Sequence, residues 1–77
     1  TDYFVRKLST LLFELLYLAE RKEDYQELVS FFRSAIDFAF QTNQIDVVVD
    51  TFMRVGMLLD SERCPEDLKP HLQMIMA

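Results

Sequence analysis

Apolar residues recur with a helical period through three long segments, interrupted by only two short polar stretches. At the 100° rotation of an α-helix, Phe4, Val5, Leu8, Leu11, Leu12, Leu15, Leu16, Leu18 and Ala19 share one arc of roughly 160°. Arg6, Lys7, Thr10 and Glu14 lie opposite, so the pattern predicts a helix over residues 2–20. Phe13 and Tyr17 stand outside the arc, among polar neighbours.

The second segment is greasier. After Arg21-Lys22-Glu23, the run Asp24-Tyr25-Gln26-Glu27 has the form of a capping box, and the period then predicts a helix over residues 24–41. Tyr25, Leu28, Val29, Phe31, Phe32, Ala35, Ile36, Phe38, Ala39 and Phe40 fill an arc of about 200°. A helix that apolar needs cover on two sides, which predicts a central place between the first helix and the third. Thr42-Asn43-Gln44 ends it, Asn43 being a residue that tolerates the left-handed conformation.

A third helix is expected over residues 44–60. Its core arc reads Ile45, Val48, Val49, Phe52, Met53, Val55, Gly56 and Leu59, with Val47, Met57 and Leu58 beside the polar Asp46, Asp50 and Arg54. Gly56 inside a helix costs about 1 kcal/mol against Ala, and close approach of a neighbouring backbone would compensate. A short fourth helix is expected over residues 65–76, starting at Pro65 and bending, or starting afresh near Pro70.

Strands at Val47-Val48-Val49 and Phe38-Ala39-Phe40 are rejected because the helical period continues through both. One Gly and two Pro also leave little punctuation for an all-β fold. Short breaks between long helices place neighbours antiparallel. The expected fold is therefore all-α: antiparallel hairpins, three long helices plus a short fourth. It is either a free-standing up-down-up bundle or a piece of a helical repeat array. The chain forms a single domain and, beginning at Thr1, reads as cut from a longer protein.

Composition narrows the function classes. Eight basic and thirteen acidic residues give a net charge of −5, and the basic residues form no stripe. Nucleic acid and anionic membranes are thus not expected partners. No apolar run exceeds the five residues Leu15–Ala19, so no membrane span is expected. A single free Cys and no secretory segment point to the cytoplasm.

Sites for chemistry are few, and each has a plainer reading. His71, the one His, pairs with Asp67 four residues earlier as an ordinary surface contact unless a pocket reaches it. Cys64 lies near a helix start, but Glu62, Glu66 and Asp67 oppose its thiolate. Asp46, Asp50 and Arg54 form a ladder in which Asp50–Arg54 is a solvated pair, and two carboxylates are too few for a calcium ion. Asp60, Glu62, Glu66 and Asp67 lack the spacing and Gly of a calcium-binding loop. No cofactor, no metal and no catalytic activity are expected.

The surplus apolar residues are the constellation that counts. So short a chain buries only about 60% of the surface it exposes when unfolded. Phe13, Tyr17, Val47, Met57 and Leu58 then have no evident place in its core and form the candidate interface. The first reading is a protein–protein interaction or scaffold module, docking to a partner protein or a second copy. The second is a carrier of a small apolar ligand or lipid, with Phe31, Phe38, Phe40 and Phe52 around an interhelical cavity. An enzyme using His71 or Cys64 ranks last.

The first and third helices superpose at an offset of about 41 residues, which brings Phe4, Leu8, Leu11, Leu12 and Leu18 onto Ile45, Val49, Phe52, Met53 and Leu59. The runs Glu14-Leu15-Leu16, Asp24-Tyr25-Gln26-Glu27-Leu28 and Asn43-Gln44-Ile45, with Asp60 and Pro65-Glu66-Asp67-Leu68, resemble HEAT-like α-helical repeat segments of large bacterial proteins. That resemblance implies a non-catalytic helical scaffold and carries no catalytic residue with it.

Overall fold

The computed structural model describes residues 2–77 as four helices. They are α1 (Asp2–Glu20), α2 (Gln26–Gln41), α3 (Ile45–Asp60) and α4 (Lys69–Met76). Among the described residues there is no strand. The chain forms an all-α helical bundle with a radius of gyration of 11.8 Å, close to the roughly 11.5 Å expected for this length.

Each of the three long helices packs on both others, and α4 packs on α3. The expectation that α2 lies centrally is therefore corrected, because α1 and α3 touch directly. Phe4, in the first turn of α1, meets Phe38, near the end of α2, with ring centroids 6.1 Å apart. The common core holds Leu8, Leu12 and Leu15 of α1, Val29, Phe32 and Ile36 of α2, and Val47, Val48 and Val55 of α3. Leu68 and Leu72 close it from the C-terminal side. On α2 the buried residues follow the spacing Val29, Phe32, Ile36, Ala39, a narrow stripe rather than the broad arc read from the sequence.

On α3 the buried face is turned by roughly 100°, about one residue's rotation, from the expected one. Val47, Val48, Thr51 and Val55 are buried, whereas Ile45, Val49 and Met53 point outward. Apolar residues surround most of this helix, so periodicity alone selects no face. The interior already holds Phe32, Leu8 and Leu15, and compact Val and Thr side chains fit what remains. Gly56 faces away from the core, and a Cβ there would meet nothing within 4 Å. The expected close approach at Gly56 is thus absent within the chain. The rotation also bears on the repeat offset. At about 41 residues, buried Leu8 and Leu12 fall on exposed Val49 and Met53; one residue less brings Leu8 and Leu15 onto buried Val48 and Val55.

The helix boundaries follow from local hydrogen bonding. α1 and α2 both end in the same motif, with Lys22 (φ 58°) and Asn43 (φ 62°) left-handed. The Glu23 N–H donates to the Leu18 carbonyl at 3.0 Å and the Gln44 N–H to the Ala39 carbonyl at 2.8 Å, satisfying carbonyls the helix leaves open. The expected start of α2 at Asp24 shifts to Gln26. Asp24 accepts from the Gln26 N–H, 3.1 Å away, and Tyr25 is non-helical (φ −133°), so the capping box does not form. α3 starts at Ile45, within the expected span of residues 44–60. The fourth helix starts at Lys69, not Pro65. Pro70 lacks an N–H and its ring would collide with the carbonyl four residues back, so it is accommodated only in the first turn.

Candidate functional site

Four of the five candidate interface residues remain at or near the surface, and one does not. Val47 is fully buried, 0% exposed, and is withdrawn from the interface. The rotation of α3 brings it from outside the expected core arc onto the buried face. Phe13 (65% exposed), Tyr17 (53%) and Met57 (72%) stand in solvent, and Leu58 is half-buried against the core.

Three of these converge. Phe13 of α1 and Met57 and Leu58 of α3 line an open groove of about 260 Å³, with Leu12 and Leu16 beneath and Ser9 and Arg54 at its edge. Tyr17 lies one turn beyond Phe13 on α1, with the Arg21 guanidinium over its ring at 5.1 Å. Arg54 is held at the groove edge by Asp50, Nε to Oδ2 2.8 Å, the ion pair expected from their spacing. From Met57 the apolar surface continues up α3 through Met53, Val49 and Ile45, one residue per turn. The sequence pattern places that stripe in the core, and the rotation of α3 turns it outward. The signal in the sequence is the alternative stripe Val47, Val48, Thr51 and Val55, whose compact side chains fill the core instead.

The four phenylalanines of the carrier reading are not fully buried. Phe31, Phe38 and Phe40 are exposed and Phe52 is half-buried. Here too the narrow α2 stripe was the informative signal.

Around α4, the Tyr25 hydroxyl donates to the Asp67 carbonyl at 3.1 Å, and the Tyr25 ring meets His71 edge-on, centroids 5.5 Å apart. His71 thus packs against the start of α2. Burial raises the Tyr25 pKa, and the nearby Asp67 carboxylate adds to it. Cys64 is buried beside Pro65. Desolvation pushes its thiol pKa up, opposed by Lys69 and reinforced by Glu66, an environment that favours thiol over thiolate. Among the described residues no three His, Cys, Asp or Glu side chains come together as a metal site, and no helix is long and apolar enough to cross a membrane.

No protein-family model matches the chain, and no curated protein or solved structure is significantly similar to it.

Proposed function

We propose that this chain is a non-catalytic helical docking module that binds a protein partner, or a second copy of itself, through the α1/α3 face. The observation that carries the reading is the apolar surface running from Phe13 across Met57 to Met53, Val49 and Ile45, all left in water by a chain whose core is already filled. Aromatic and Met side chains supply large, adaptable contact area, and the acidic residues beside them (Asp46, Asp60) select among partners. An up-down-up path with HEAT-like stacking goes with this reading. In such an array the next helical pair would cover the outer stripe of α3, as each unit in a solenoid covers its neighbour. The cytoplasm is the compartment proposed, on the free Cys64.

Sedimentation equilibrium over a range of concentrations tests the reading. The expected outcome is a mass that climbs above the 9.1 kDa monomer and returns to it in a Phe13→Glu/Met57→Glu variant of unchanged helicity. A chain that stays monomeric throughout, and whose face binds no apolar dye, overturns it.

A further inference from the structure

A second concave surface lies between α1 and α2, away from Phe13 and Met57. Phe31, 61% exposed, stands at its middle and borders two adjoining hollows. One, of about 510 Å³, lies over Phe4, Leu11 and Ala35. The other, of about 610 Å³, lies over Leu18, Tyr25 and Leu28. Along α1 from Phe4 to Leu18 the floor extends for roughly 21 Å, or about four helical turns. The charge on the rim is polarised. Glu14, Asp24 and Glu27 surround the second hollow. Among the described residues none of the three is within ion-pair distance of a base. The first hollow carries Lys7, whose ammonium lies 5.3 Å from the centroid of the Tyr3 ring.

We propose that this groove binds an amphipathic helix of a partner protein, its apolar face along Phe4, Leu11, Phe31 and Leu18 and its Lys or Arg residues over Glu14, Asp24 and Glu27. A groove between two helices takes the ridge of a third, and apolar anchors two turns apart match the seven-residue spacing of Phe4, Leu11 and Leu18 along the floor. Three carboxylates without an ion pair among the described residues, beside an apolar floor, are complementary to a basic flank. A second copy of this chain is the poorer occupant, because it brings a net charge of −5 to an acidic rim. This surface is distinct from the α1/α3 face, so each assignment can fail without the other.

The probe is a fluorescently labelled Leu/Lys amphipathic helical peptide with its lysines at one end, compared by anisotropy with the Leu/Glu peptide of the same pattern. The Leu/Lys peptide is expected to bind, with a Kd that rises with salt. Phe31→Ser, and separately Glu14→Lys/Glu27→Lys, should each weaken it by about tenfold or more while circular dichroism stays unchanged. Phe13→Ser should leave the Kd as it was. The proposal is overturned if the Leu/Lys peptide does not bind or both peptides bind equally. It is also overturned if Phe13→Ser weakens binding while Phe31→Ser does not.

Discussion

Gly56 stands inside α3, four residues before its end at Asp60. A glycine inside a helix suggests a neighbour pressed against it, yet the space where its Cβ would stand is open. The backbone-entropy cost of Gly is then uncompensated within the chain. Gly56→Ala should stabilise the isolated protein by about 0.5–1 kcal/mol, read as a higher urea midpoint at unchanged slope. A loss of stability would mean that Gly56 is packed after all. Lys22 carries the opposite lesson. It adopts the left-handed conformation that Asn43 also takes, without being a residue type that signals it. Nothing in Arg21-Lys22-Glu23 marks that position; the hydrogen bond from the Glu23 N–H back to the Leu18 carbonyl requires it.

At the scale of the element, α3 shows what periodicity can and cannot decide. Its helical character and its length are legible, since the period runs unbroken from Ile45 to Leu59. Its orientation is not, since Val47 and Val49 are chemically identical and only packing assigns them to opposite environments. Val47→Ala should cost about 2 kcal/mol, from two buried methyl groups at about 0.8 kcal/mol each and the cavity they leave, whereas Val49→Ala should change stability by less than about 0.5 kcal/mol. Equal effects, or the reverse order, in denaturant titrations would reject the observed rotation. The same logic separates Phe32, fully buried, from its exposed neighbour Phe31 on α2. For α4 the sequence left two starting points, and the steric demand of Pro70 selects the later one.

Across the whole molecule, two groups link stability to pH in the same direction. Tyr25 and Cys64 both have pKa values raised by burial, so folding favours their neutral forms. Their contribution is complete below the unfolded-state values, about 8.5 for Cys and about 10 for Tyr, and is lost as pH rises through the folded ones. The urea midpoint should therefore fall between about pH 8 and pH 11, and a Tyr25→Phe/Cys64→Ala variant should show a shallower fall. A midpoint that rises over that interval would contradict the burial of both groups. The molecule also exposes 5341 Å², somewhat more than the roughly 4,900 Å² typical of a monomer of this mass. The excess accords with the uncovered faces of α1, α2 and α3, where the two docking surfaces are proposed.

The sequence alone determined that the chain is all-α, that three long helices and a short fourth make it up, and within a few residues where each begins and ends. These follow from local physics: the helical period, turn chemistry and the geometry of proline. It also singled out Phe13, Tyr17 and Met57 as apolar residues in water. The tertiary structure decided which side of α3 is inside, that α1 and α3 meet directly, and that Val47 belongs to the core while Ile45, Val49 and Met53 do not. Those choices depend on the volumes three helices can bring together at once. A helix apolar on most of its circumference leaves that decision to its neighbours.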